Sequence, residues 1–165
     1  MGELILRSIR VLEQHCDFII IPSNTPHYCY DFFVRASKVP VLNLIDIAAE
    51  ECSRRAYKKV AVLGTKPTMQ DGLYSKALSG RGIEILPLSD GACEAIHDFI
   101  IHEIIPEKVS LSSTQYIRGL IEKLSCDAVI LGCTELPEVF GNTLSIPSVD
   151  TTRLLARAAV EYASR

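Results

Sequence analysis

The 165-residue sequence predicts an α/β fold of two pseudo-symmetric lobes, each a mainly parallel sheet flanked by helices, with an active-site cleft between them. Three observations carry this. Short apolar runs rich in β-branched residues alternate with longer amphipathic segments, an order that requires crossover connections and parallel pairing. The runs FIII (residues 18–21) and AVIL (residues 128–131) are apolar without alternation, as strands covered on both faces are. One arrangement also occurs twice: DFIIIPSNTPH from Asp17 and DAVILGCTELP from Asp127 both run from an acidic residue through an apolar strand into a small, nucleophile-capable side chain.

Taken along the chain, strands are expected at Asp17–Ile21, Val39–Leu42, Lys59–Leu63, Ile83–Leu86, Asp127–Leu131 and Ile146–Val149. Helices are expected at Leu4–Gln14, His27–Ala36, Leu44–Ala56, Met69–Leu78, Glu94–Ile105, Ser113–Leu124 and Thr151–Ala163, several of them opening on Asn, Asp, Ser or Thr in capping position. Each elbow is followed by a strand that begins at a proline and runs into a helix opening near an aspartate: KVPVLNLIDIAAE from Lys38, and SIPSVDTTRLLARAA from Ser145. Residues 1–56 read as a partial N-terminal lobe to which 146–165 return, and 57–145 as a second lobe. The strand VAVLGT precedes the second elbow, and its counterpart at the same offset before Ser23 would fall ahead of Met1. The first lobe is therefore expected to be incomplete.

Composition narrows the function. With 48% hydrophobic and 22% charged residues and a formal charge of −3, the chain has a normal globular core and no electrostatic case for nucleic acid. No apolar run approaches the roughly 20 residues of a membrane span, and the charged N-terminal helix does not resemble a signal peptide, so a cytoplasmic setting is expected. Six cysteines without C-x-x-C spacing argue against a zinc site and a disulfide framework. His97 and His102, five apart on one helix, do not share a face, and no metal is expected.

A small residue directly after a buried parallel strand lies at the carboxyl end of the sheet, where open α/β folds bind ligands. Either elbow alone is explained by the preference of helices for Ser, Asn and Thr at their starts. Two matched elbows favour a shared site in which Ser23 and Cys133 face opposite sides of one substrate carbon. One side chain would take a proton while the other gives one, and the centre would invert. Cysteine suits this because a helix N-terminus can bring its pKa, roughly 8.5, down toward working pH. Serine is far less acidic and needs a neighbouring base. His27 could relay for it, but the preferred reading of His27 is packing at the helix start.

IPSNTPH, GTKPTMQDGLY and VILGCTELP, followed by IPSVDTT, resemble the cofactor-independent aspartate/glutamate racemase family from about Asp17 onward. The resemblance implies a catalytic cysteine at each elbow and an acidic amino acid or related dicarboxylate held between the lobes, with no cofactor. Carried over by position, Cys133 is one acid/base with Thr134 and Glu135 beside it. Asn24 and Thr25 contact the substrate carboxylate, Thr65 and Thr68 belong to a threonine-bearing loop, and Lys108 lies near a lysine that meets the side-chain carboxylate. Ser23 departs from the pattern, standing where the family has its other cysteine. The expected function is an amino-acid racemase weakened or silenced by that serine. The alternatives are a one-base enzyme, a decarboxylase or isomerase using Cys133 alone, or a non-catalytic relative binding a small carboxylate. Unpaired strand edges in the first lobe lead to the expectation of a homo-oligomer.

Overall fold

A computed structural model of the chain describes residues 1–141 and 143–164. The order of elements is α1 (Gly2–Leu12), a 3-10 turn (Thr25–Cys29), α2 (Tyr30–Val34), α3 (Leu44–Arg54), β1 (Lys59–Leu63), α4 (Lys66–Gln70), α5 (Ser75–Ser79) and β2 (Glu84–Ile85). There follow α6 (Asp90–Phe99) with a π turn (Ile100–Ile104), α7 (Leu111–Ile121), β3 (Ala128–Leu131), α8 (Leu136–Phe140), β4 (Ser148–Asp150) and α9 (Thr151–Ala163).

The four strands form one parallel sheet in the order β2-β1-β3-β4. The period of two along β1 and β3 divides their side chains between two layers. Val60, Val62, Ala128, Ile130 and Val149 meet α3, α5 and Leu155 of α9 on one face. On the other face Ala61, Leu63, Val129 and Leu131 meet α6, α7, the π turn and α8. All four residues of β3 are buried, which is why AVIL reads as uninterrupted apolar sequence. Asp127, just ahead of it, accepts hydrogen bonds from the Lys58 and Lys59 N–H groups at 2.7 and 2.9 Å, and so pins the start of β1. Side chains of Asn43, Ser89, Ser110 and Asp150 cap α3, α6, α7 and α9. Asn43 and Asp150 stand directly before the helix starts expected from the sequence, whereas α6 and α7 begin ahead of theirs, at Asp90 rather than Glu94 and at Leu111 rather than Ser113.

Several elements are shorter than their sequence pattern. The strands expected at Asp17–Ile21 and Val39–Leu42 reduce to one parallel bridge, Ile19 to Val41, closed by Ile19 N–H on the Pro40 carbonyl and Leu42 N–H on the Ile19 carbonyl. Two strands without a third beside them among the described residues make a marginal ladder. Their apolar side chains join α1 and α2 in a small cluster of Leu6, Ile9, Ile19, Phe33 and Val41. The helix expected from His27 is split into the 3-10 turn and α2, and the one expected over Met69–Leu78 breaks into α4 and α5 where Gly72 takes φ +74°. The tail expected to return to the N-terminal lobe gives β4 to the four-stranded sheet. Its helix α9 runs beside α3 and brings Tyr162 to 5.0 Å from Phe18, ring centre to ring centre.

Candidate active site

β1 and β3 end side by side, and two glycines let the chain leave them closely packed. A Cβ on Gly132 would lie 3.0 Å from the Leu63 carbonyl oxygen and 3.1 Å from Thr68 Cγ2, and one on Gly64 would lie 3.0 Å from the same methyl. The Gly132 N–H donates to the Leu63 carbonyl at 2.7 Å, so the turn out of β3 is tied to the last residue of β1. Cys133, Thr134 and Glu135 follow, then the short α8. From the other side, the Ile19–Val41 bridge leads through Ser23, whose N–H closes on the Ile21 carbonyl at 2.8 Å, into the 3-10 turn.

The two elbows meet at a cavity of about 170 Å³ lined by Ser23, Asn24, Thr25, Thr65, Thr68, Gly132, Cys133, Thr134 and Glu135. Lys108 is not among them. It lies in the exposed loop ahead of α7, its N–H on the Glu103 carbonyl at 2.7 Å. Among the described residues the lining contains no lysine or arginine; the hydroxyls it offers are those of Ser23, Thr25, Thr65, Thr68 and Thr134.

Cys133 and Glu135 form a pair. The thiol donates to Glu135 Oε2 at 2.8 Å. Burial, and after it this hydrogen bond to a carboxylate, push the Cys133 pKa up to about 12, so the lowering expected from a helix start does not occur. Burial works against ionisation of Glu135 too. Hydrogen bonds from Cys133, Thr134 and its own backbone outweigh it and hold the carboxyl below its usual value. The resting pair is a thiol facing a carboxylate.

His27 is committed elsewhere. Its Nε2 accepts from the Leu44 N–H at 3.2 Å, which places the ring proton on Nδ1, 2.9 Å from the Ser23 carbonyl oxygen. Burial lowers its pKa, in keeping with a neutral ring. His27 thus holds the backbone of the first elbow and has no hydrogen bond to the Ser23 hydroxyl, so the packing reading stands.

Asn24 belongs to a buried chain of polar groups that sequence reasoning missed. The Tyr74 hydroxyl donates to Asn24 Oδ1, Asn24 Nδ2 donates to Thr151 Oγ1 at 3.4 Å, and Thr151 Oγ1 donates to the Leu131 carbonyl at 3.0 Å. All three side chains are buried. The chain ties the first elbow to α5, to the start of α9 and to the end of β3, two residues from Cys133. Tyr74 and Thr151 stand inside the GTKPTMQDGLY and IPSVDTT segments, but only the fold shows that they meet. Of the two histidines doubted as ligands, His97 Nδ1 accepts from the Lys66 N–H at 3.3 Å and His102 lies 3.9 Å from Asp98. Among the described residues no cluster of His, Cys, Asp or Glu is arranged to hold a metal, and no helix is long and apolar enough to cross a membrane.

A thiol and a hydroxyl from two elbows, lining one small cavity beside the end of a parallel sheet, define the class: an α/β protein with a compact polar cavity. Residues 3–159 match the Asp/Glu/hydantoin racemase family model, and the chain belongs to that family. It is 32% identical over 157 residues to the broad-specificity amino-acid racemase RacX of Bacillus subtilis, covering 93% of this chain and 67% of that one. It is 26% identical to the glutamate racemase of Aquifex aeolicus, covering 88% of this chain and 58% of that one. Among solved structures, an aspartate racemase homologue from Pyrococcus horikoshii superposes with a TM-score of 0.89 at 32% identity, over 99% of this chain and 74% of that one. The aspartate racemase of Picrophilus torridus gives 0.81 at 27%, over 99% and 69%. The chain thus spans roughly three-fifths to three-quarters of the length of these relatives.

Proposed function

We propose that this chain is an amino-acid racemase of the aspartate/glutamate type whose proton chemistry is centred on Cys133 and is weakened on the opposite side by Ser23. The observation that carries the reading is the single cavity shared by the two elbows and by the threonines around them. A dicarboxylic amino acid would be held through its carboxylates by Thr25, Thr65, Thr68 and Thr134, with its α-carbon between Ser23 and Cys133.

In this reading Cys133 passes its proton to Glu135, a transfer that the raised thiol pKa and the lowered carboxyl pKa both oppose. The resulting thiolate removes the α-proton of the bound amino acid, and a proton returned to the planar carbanion completes the cycle. Return by Cys133 to the same face exchanges the proton without inversion; return on the other face would have to come from Ser23. No side-chain base is hydrogen-bonded to the Ser23 hydroxyl among the described residues, and His27 is turned to the Ser23 carbonyl. That asymmetry favours a one-base outcome as the second reading. It covers an isomerase or decarboxylase in which Cys133 alone delivers the proton.

Incubation in deuterium oxide with each enantiomer of aspartate and glutamate separates the readings. Racemase chemistry gives α-deuterium with inversion, and Ser23→Cys raises the inverted fraction. A one-base site gives α-deuterium with retention. A folded chain that exchanges neither enantiomer overturns the racemase assignment and leaves a carboxylate-binding relative. Cys133→Ala is expected to lower any exchange by about 10²- to 10⁴-fold, the usual contribution of a positioned acid or base. Exchange at the unmodified rate in that variant would remove Cys133 from the mechanism. A homo-oligomer remains part of the proposal, supported by exposed Met1, Leu4, Val11, Leu12 and Phe32 on α1 and α2. Light scattering that finds a stable monomer would remove it.

A further inference from the structure

A cluster of three arginines lies outside the elbow cavity. Between the end of α3, the far end of α8 and the start of α9 is a recess of about 290 Å³, lined by Arg55, Pro137, Gly141, Ser148, Val149, Asp150, Arg153, Leu154 and Arg157. Its volume is at the lower edge of the range for small-molecule sites, about 300 to 1,000 Å³. The geometry points to this recess as a binding site for a small, multiply charged oxyanion, a phosphate-bearing or polycarboxylate ligand distinct from the amino acid in the elbow cavity.

Three arginines line the recess from two elements. Arg55 is the C-cap of α3 and is fixed by Glu51, Nε to Oε1 at 2.5 Å. Arg153 and Arg157 are four apart on α9 and so share a face. Asp150 is the carboxylate in the wall. It is already occupied, accepting from the Arg153 N–H at 2.9 Å as the helix cap and lying 3.7 Å from Arg153 Nε. Arg157 enters no ion pair among the described residues. Glu50, Glu51 and Glu161 line an adjoining groove that Arg157 also lines.

α9 has Asp150 as its N-cap, no acidic residue in its first turn, and arginines at its third and seventh positions. An anion lying between the guanidiniums would relieve the repulsion of like charges four apart, and their planar forks match phosphate and carboxylate oxygens. The recess backs onto the elbow cavity through shared elements. α8 starts directly after Glu135, and Asp150 precedes the Thr151 that binds the Leu131 carbonyl.

Calorimetric titration of the 165-residue chain with inorganic pyrophosphate and with citrate, at ionic strength held constant by sodium chloride, tests the inference. Saturable one-to-one binding is expected, at least tenfold weaker in R157Q and in R153Q/R157Q. These side chains are exposed, and unfolding curves establish that the variants fold. Amide NMR shifts confined to Arg55 and Ser148–Arg157 give a second readout that needs no variant. Binding of pyrophosphate alone assigns a phosphate ligand, binding of citrate alone a polycarboxylate, and binding of both a general polyanion site. Heat that fails to saturate, equal affinity in the double variant, or shifts centred on Ser23 and Cys133 would each overturn it.

Discussion

The two elbows began as near copies in sequence and ended in different physical situations. The second leaves a strand buried along its whole length, flanked on both sides by hydrogen-bonded neighbours, and its cysteine is paired with a carboxylate. The first leaves a single parallel bridge over a five-residue apolar cluster, and its serine is exposed. What holds the first elbow in place is polar: His27 on its backbone, and Tyr74 through Asn24. An elbow carried by a sheet is positioned by packing, whereas an elbow without one is positioned by a few buried hydrogen bonds. Losing a single partner matters more to the second kind, since a buried group left without its bond bears the full cost of desolvation.

Core truncation probes the difference most strongly. Ile130→Ala in the middle of β3 is expected to destabilise by about 4 kcal/mol, toward the upper end for a close-packed site that cannot collapse. Ile19→Ala is expected to cost about 2 kcal/mol, because the small cluster around it can relax. Urea unfolding of both variants gives the comparison, and equal losses would mean that the first elbow is packed as firmly as the second.

Tyr74→Phe is the next largest. It keeps the ring in the core and removes only the donor to Asn24 Oδ1, leaving a buried amide oxygen short of a partner at a cost of about 1–3 kcal/mol. Amide exchange around Ser23 to His27 should accelerate more than exchange in β3. Uniform acceleration would mean that the hydroxyl serves the whole core rather than the elbow.

What could be read from the sequence follows the same division. β1 and β3 were legible because a strand covered on both faces writes its burial into consecutive residues, Val60–Leu63 and Ala128–Leu131. The weak pairing at Ile19–Val41 was not, since FIII has the same apolar signature whether or not further strands lie beside it. α8, five residues long, has too few turns to show a period and went unpredicted. At the site, the motif residues around the cavity follow chain order along the elbows. The Tyr74–Asn24–Thr151 chain joins residues distant in sequence and carries no local mark. The thiol pKa depended on burial and on the rotamer of Glu135, neither of which the motif encodes.

The third perturbation acts on the second elbow alone. Glu135→Gln replaces the carboxylate that opposes thiol ionisation with a neutral amide, so the Cys133 pKa should fall from about 12 while burial still keeps it above an ordinary thiol. The rate of iodoacetamide capture at Cys133 against pH, followed by peptide mass spectrometry, reads this directly. An unchanged or later onset would mean that Glu135 does not hold the thiol proton.

The smallest expected effect singles out the first elbow through pH. Burial lowers the His27 pKa below its ordinary 6.5, so the unfolded chain binds a proton there before the folded one does. Stability from the neutral ring is therefore fully present above about pH 6.5 and is lost as pH falls below that value toward the lowered pKa. Protonation converts Nε2 from acceptor to donor and breaks the bond from the Leu44 N–H, while the Nδ1–H can still meet the Ser23 carbonyl. Facing charges modulate this only modestly, Asp46 of α3 being the carboxylate that favours the charged ring. Between pH 7 and 5, exchange of the Leu44 amide and the amides of the 3-10 turn should rise relative to β1 and β3, and His27→Gln should flatten that dependence. A pH response shared equally by β3 would place its cause outside the elbow. The difference between a sheet-borne and a hydrogen-bond-borne elbow would then have no titratable signature.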